Sequence, residues 1–212
     1  MREDFHMTIQ QRHTPLILAS ASRTRFDLLS RAGLSVRACP VDVDEAIIRD
    51  EARARGAEGG EIAVALAHAK ARCYSLRPDA EEGALVIAAD QILTCEDRQI
   101  DKAPDLPALR DILIFLRGRT HILQTACVIY QHGAPLWTHL ARPHLQMRHF
   151  SDAFLDDYLH QAGEAVLSSV GGYQLEGRGV QLFEKIEGAY DEILGLPMLP
   201  LFSALRQLGV VA

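Results

Sequence analysis

The chain has 212 residues, of which 48% are hydrophobic and 24% charged. That is length enough for one large domain or two small lobes with a proper core, and a composition that excludes disorder. Its 22 basic and 28 acidic residues leave a net charge of −6. This argues against a nucleic-acid partner held by a global electrostatic grip, so any polyanionic ligand must be bound by a local cluster or through a metal. No apolar stretch approaches the ~18 residues of a membrane span, and the opening residues lack the apolar core of a secretory signal. Cys39, Cys73, Cys95 and Cys127 form no CxxC pair, which points to free thiols in a reducing compartment, the cytoplasm.

Residues 1–14 are polar and aperiodic and read as a flexible tail, within which Met7 is an alternative start; residues 15–212 read as a single domain. Pro15–Ala19 is a short apolar run, a buried strand that ends at Ser20. A helix follows from about Ser22, a good N-cap, with Asp27 and Arg31 spaced as an i,i+4 pair and Gly33 suited to C′. Leu34–Cys39 reads as a second strand, and Pro40 opens an acidic connection, VDVDE. Residues 53–60 read as a loop. Glu61–Leu76 carries Ile62, Leu66, Ala69, Cys73 and Leu76 at helical spacing. Leu85–Ala89 is a continuous apolar run closed by Asp90, the pattern of a strand buried on both faces. Ile92–Cys95 and Gln99-Ile100 flank a hairpin turn.

Asp105 caps a further helix that stops at Gly118. Thr120–Tyr130 and Leu136–Phe150 are two long strand-like segments, and Ser151 caps a helix to about Gln161. A glycine-rich stretch precedes a terminal helix from Pro197, with Met198, Leu201, Leu205 and Leu208 facing inward. Strands and helices alternate at both ends around antiparallel-looking strands, which is an α/β pattern.

Several segments carry chemistry. Ser20-Ala21-Ser22-Arg23-Thr24-Arg25 lies between a strand and a helix start. Free backbone N–H groups, the helix dipole, two hydroxyls and two guanidiniums there suit an anion, although a plain capped helix with solvated arginines has the same residues. Asp90 stands at the carboxyl end of the most apolar run, where a carboxylate can bind a divalent metal or take a proton from water. Glu45 offers a second carboxylate. Lys70 lies roughly 80° from Ile62 on the helix, at the margin of its apolar face. Lys102 sits in a loop before Ala103-Pro104. GGYQLEGRG, residues 171–179, is a glycine-rich turn with one acid, able to bring backbone close to a flat ligand.

In this order, the segments resemble the Maf family of nucleoside triphosphate pyrophosphatases over nearly the whole chain from Leu16. LILASASRTRFDLL resembles the family's opening strand, SxS loop and basic helix start. VDVDE resembles its acidic segment, LAHAKA its lysine-bearing helix, VIAADQ its strand ending in Asp, and DKAPD its loop lysine. FLRGRTHILQTACVI resembles the SGxxHxVxTxV stretch, and GGYQLEGRG followed by GLP the late glycine loop and last helix.

The resemblance implies an elongated α/β fold of inosine-triphosphatase type, a long curved mixed sheet with two lobes flanking a cleft. It implies cleavage of the α–β phosphoanhydride to a nucleoside monophosphate and pyrophosphate, with Mg²⁺ or Mn²⁺ and as a homodimer. It makes Asp90 and Glu45 the catalytic and metal-binding carboxylates, and Ser20, Ser22, Arg25, Lys70 and Lys102 the phosphate-binding set. Arg23 and Thr24 stand where the common SxSPRR loop has Pro and Arg. Thr24, Gln91 and Glu176 fall at positions that bear on base choice. Gln91 and Glu176 look like the subgroup that prefers 7-methyl-GTP. The family also includes dTTP/UTP pyrophosphatases and members linked to inhibition of septum formation.

Overall fold

The computed structural model describes residue 10 and residues 14–212. The first half of the chain forms β1 (Leu16–Leu18), α1 (Arg23–Arg31), β2 (Val36–Ala38), α2 (Glu45–Ala54), α3 (Gly59–Ser75), β3 (Leu85–Cys95) and β4 (Arg98–Ile100). Then come α4 (Leu106–Leu116), β5 (Thr120–Gln131), β6 (Ala134–Ala141), β7 (His144–Met147) and α5 (Asp152–Ala162). Short 3-10 turns between 163 and 182 lead to β8 (Phe183–Glu187), α6 (Tyr190–Ile193) and α7 (Met198–Gln207).

The described strands form one mixed eight-stranded sheet, organised by its two long members. β3 and β5 pair antiparallel from Val86↔Tyr130 to Thr94↔Ile122. Because β5 covers one edge of β3, the other edge is shared. β1 pairs there in parallel at Leu85–Ile87, and β4 pairs antiparallel at Leu93–Cys95. Residues 88–92 between them have no strand partner on that edge among the described residues. The far edge of β5 is divided in the same way, between β6 at Thr125–Gln131 and β7 at Thr120–Ile122. The sheet is therefore two halves threaded by the same two strands. One is β2-β1-β3-β5-β6 and the other β4-β3-β5-β7-β8.

Each half has its own core. In the first half, α3 buries Ile62, Leu66 and Ala67 against Ile17, Val86, Ala88 and Val128 on one sheet face. On the opposite face, Leu201 and Leu205 of α7 meet Leu18, Ile87 and Ile129. The second half packs Leu109, Leu113, Leu155 and Tyr158 against Leu93, Leu123 and Leu145. The mixed α/β class with two lobes is the expected one.

Several local expectations are corrected. The acidic connection ends in a helix: Asp44 Oδ1 accepts the Ile47 N–H at 3.0 Å, so α2 begins at Glu45 and the expected 53–60 loop shrinks to residues 55–58. β3 does not close at Asp90 but runs on to Cys95, because β5 pairs through that point. The 136–150 segment breaks at Pro143, which has no N–H for a ladder. β8 and α6 lie in the glycine-rich region, where no element was expected. Asp27 pairs with Arg23, at 2.9 Å, rather than with Arg31. Leu208 falls just past α7 and is 39% exposed rather than inward. Gln10, expected in a tail, bridges Val211; the rest of that segment through His13, Met7 included, lies outside the described residues. Among the described residues all four cysteines are free, Cys95 and Cys127 buried and the other two half-buried.

Candidate active site

The bare stretch of β3 edge is where the site forms. β1 stops at Leu18, and the chain turns through Ser20-Ala21-Ser22 into α1. The Ser20 hydroxyl accepts the Ser22 N–H at 3.2 Å, and the Ser22 hydroxyl caps α1 through the Arg25 N–H at 3.3 Å. Alternation along β3 turns Ala88, Asp90 and Ile92 toward α3. Asp90 thereby meets Lys70: Lys70 Nζ lies 2.5 Å from Asp90 Oδ1 and 2.8 Å from Glu45 Oε1, joining the two carboxylates through one ammonium. A cleft of about 630 Å³ is lined by Ser20, Ser22, Thr24, Arg25, Glu45, Lys70, Asp90, Gln91, Lys102 and Glu176. Every residue singled out from the sequence faces this one space.

Their states differ. Asp90 is only 6% exposed, and its Oδ2 is buried with no partner among the described residues. A buried carboxylate oxygen in that state is a ready acceptor. Both Glu45 oxygens are engaged, Oε1 by Lys70 and Oε2 by Arg49 at 2.8 Å. Burial pushes the Glu45 carboxyl pKa up, but the Lys70 hydrogen bond and the charges of Lys70, Arg49 and Lys102 outweigh it and hold the pKa below its ordinary value. Lys102 and Glu176 are exposed at the cleft wall.

Arg25 and Gln91 are less free than their residue types imply. Arg25 Nε donates to Gly195 O at 2.8 Å, and Nη1 donates to Ala89 O at 2.8 Å and to Ser20 Oγ at 3.4 Å. Ala89 O lies on the bare edge of β3, so the guanidinium stands in for the missing strand. Burial lowers the Arg25 pKa despite the opposing charges of Asp90 and Glu45. Gln91 points to the other sheet face. Its Nε2 lies 2.7 Å from Thr125 Oγ1 and 3.1 Å from both Glu192 O and Ile193 O. Thr125 donates its own proton to Glu192 O at 2.9 Å, so its lone pair must receive the Gln91 amide. Gln91 is left with its carbonyl oxygen for any ligand.

Sequence reasoning missed Arg49, Ser168, Ser169, Tyr173 and Gln174, which also line the cleft. Arg49 was detectable: once Asp44 is read as an N-cap, Glu45 and Arg49 become an i,i+4 pair. Tyr173 lay inside the glycine motif. Beneath that loop the Tyr173 hydroxyl meets His121 Nε2 at 2.7 Å, and the Tyr158 hydroxyl donates to Gly172 O at 2.9 Å. Gly172 has φ +67°, and an added Cβ would lie 2.0 Å from Leu109 Cδ1, so only glycine fits this approach.

A family model described as Maf-like protein matches residues 15–208. The chain belongs to the Maf-like protein family. It is 50% identical, over 91% of its length and 96% of the relative's, to the nucleoside triphosphate pyrophosphatase of Granulibacter bethesdensis. It is 47% identical, over 94% and 97%, to the protein of the same name from Gluconobacter oxydans. To the 7-methyl-GTP pyrophosphatase of Rhizobium etli it is 45% identical over 92% and 97%.

A divalent cation tests the donor set of this Maf-like site. Among the described residues no three His, Cys, Asp or Glu side chains are grouped to hold a metal. Mg²⁺ does not require such a cage, since it binds through one or two carboxylates, waters and substrate phosphates. The orphan oxygen of Asp90 suits a hydrated cation of that kind, one that reaches it through water, whereas both oxygens of Glu45 already face cations.

Proposed function

We propose that this chain is a nucleoside triphosphate pyrophosphatase that hydrolyses the α–β phosphoanhydride, releasing a nucleoside monophosphate and pyrophosphate. The observation that carries this reading is the Lys70 ammonium joining Asp90 and Glu45 beside a free, buried carboxylate oxygen, in a cleft that opens onto the N-terminus of α1. Hydrolysis needs a water held and deprotonated, an anionic tail neutralised, and the base oriented. Asp90 Oδ2 accepts the proton of the attacking water while Oδ1 stays fixed on Lys70. Ser20, Ser22 and the first turn of α1 offer the phosphates hydroxyls and a positive dipole end. Lys102 meets the charged tail, and Arg25 holds the Ser20 turn against β3. A divalent cation, Mg²⁺ or Mn²⁺, would be held next to Asp90 and Glu45 by waters and the substrate's phosphate oxygens, leaving Asp90 Oδ2 for the proton, and would supply further charge neutralisation on those oxygens.

The substrate we propose is a guanine-type triphosphate, 7-methylated. Gln91 presents a carbonyl oxygen and Glu176 a carboxylate, and both only accept hydrogen bonds. Guanine carries two adjacent donors, N1–H and N2–H₂. The matching edge of uracil or thymine has one donor between two carbonyls that oppose an acceptor. The positive charge of a 7-methylated ring complements Glu176, and relatives named 7-methyl-GTP pyrophosphatase support the same choice. The test is pyrophosphate release from 7-methyl-GTP, GTP, ATP, dTTP and UTP with Mg²⁺ or Mn²⁺. Release fastest from 7-methyl-GTP is expected. No release from any triphosphate overturns the activity, and preference for UTP or dTTP overturns the base assignment.

A further inference from the structure

We infer that Arg49 is a further substrate-binding residue: it holds Glu45 and presents its Nε–H to an oxygen of the departing pyrophosphate. The inference rests on the proposed pyrophosphatase reading. Arg49 lies one turn after Glu45 on α2, with Nη2 2.8 Å from Glu45 Oε2 and Nη1 3.5 Å from Asp101 Oδ1. Its side chain is 25% exposed and lines the cleft. Its Nε is buried with no partner among the described residues. An i,i+4 ion pair with Glu45 explains one arm of the guanidinium, and a lysine would serve for that. It does not explain a buried N–H left unbonded, which is costly unless a ligand completes it.

The position identifies the acceptor. The lining divides into two ends. Gln91 and the carbonyls of α6 lie on one face of β3, while Asp90 turns to the other face, toward Lys70 and Glu45. Arg49 lies beyond that pair, and its contact with Asp101 ties α2 to the loop that carries Lys102. With the base at the Gln91 end and the scissile phosphate at Asp90, the β- and γ-phosphates extend toward Arg49 and Lys102. A guanidinium donates to phosphate oxygens with fixed, forked geometry, which an ammonium does not reproduce.

The experiment is calorimetric titration of wild type, Arg49→Met and Arg49→Lys with inorganic pyrophosphate and, separately, GMP, with Mg²⁺ present. Both variants are expected to bind pyrophosphate about 10- to 100-fold more weakly, the loss of one charged hydrogen bond or more. GMP affinity is expected to stay within about twofold of wild type. Arg49→Lys keeps a cation against Glu45, so it carries the test even where the Met variant fails to fold. Pyrophosphate affinity unchanged in Arg49→Lys, or GMP affinity falling equally, overturns the inference. Binding is read without turnover, so a wild-type chain that hydrolyses nothing would sink the proposed activity while leaving this result interpretable.

Discussion

Asp90 gains its chemistry from the difference between its two oxygens, one bonded to Lys70 and one unpartnered among the described residues. Asn has nearly the same shape but has no anionic oxygen to take a proton. Asp90→Asn is therefore expected to lower kcat about 10²–10⁴-fold, with thermal unfolding showing an intact fold; unchanged turnover would remove Asp90 from the mechanism. Glu176 tests base choice. As an amide it could both donate and accept, so Glu176→Gln should narrow the ratio of kcat/KM for 7-methyl-GTP over UTP by at least about tenfold. An unaltered ratio would show that another group reads the base. At this scale the sequence was highly legible, since all ten chosen residues face one cleft. What it concealed was which donors remain free. Arg25 spends its guanidinium on carbonyls 64 and 170 residues away, and Gln91 spends its amide on a hydroxyl and on carbonyls more than 100 residues away. No local pattern encodes such distant partners.

Helices and strands were legible where burial gave them a strong period, as in α3, α4 and the apolar start of β3. α2 was not, because its inward face is formed by Glu45, Ile48, Arg49 and Ala52, two of them charged, so the apolar spacing that marks a buried helix face is interrupted. β8 is exposed along nearly its whole length and carries little signal. Within β5, His121 is fully buried, with Nε2 on the Tyr173 hydroxyl and Nδ1 unpartnered among the described residues. Burial pushes its pKa down to about 4 from 6.5. The folded imidazole thus resists protonation more than the unfolded one. Its effect on stability is absent above about pH 6.5 and grows as the pH falls toward 4, where the unfolded chain binds the extra proton. The full shift corresponds to about 3 kcal/mol. His121→Gln keeps a polar group near Tyr173 but does not titrate. Urea unfolding at pH 7 and pH 4.5 should therefore show wild type losing about 2–3 kcal/mol more than the variant. Equal losses would mean that His121 does not contribute to acid sensitivity.

At the scale of the whole molecule, the cleft exists because β3 and β5 are longer than the strands beside them. β1 and β4 leave a gap on one edge, and β6 and β7 divide the other. The two halves have separate cores yet share both long strands. Neither core can open without breaking the β3–β5 ladder on which the other is built, so unfolding should be a single cooperative event. Trp137, the chain's one tryptophan, reports the first half from β6, whereas the near-ultraviolet signal sums Tyr74 and Tyr130 of the first half with Tyr158 and Tyr173 of the second. Tryptophan fluorescence and near-ultraviolet circular dichroism should give the same melting midpoint. Site residues come from both sides of the gap: Ser20, Glu45 and Lys70 from the first half, and Tyr173 with the loop that carries Glu176 from the second. A ligand in the cleft therefore braces both halves. At a hundred times its dissociation constant it adds about 2.7 kcal/mol, which for a chain of this size is roughly 5–10 °C. Pyrophosphate should raise the midpoint read by both probes together. Two separated transitions, or a shift confined to the tryptophan signal, would show that the halves melt independently and that the shared strands do not couple them.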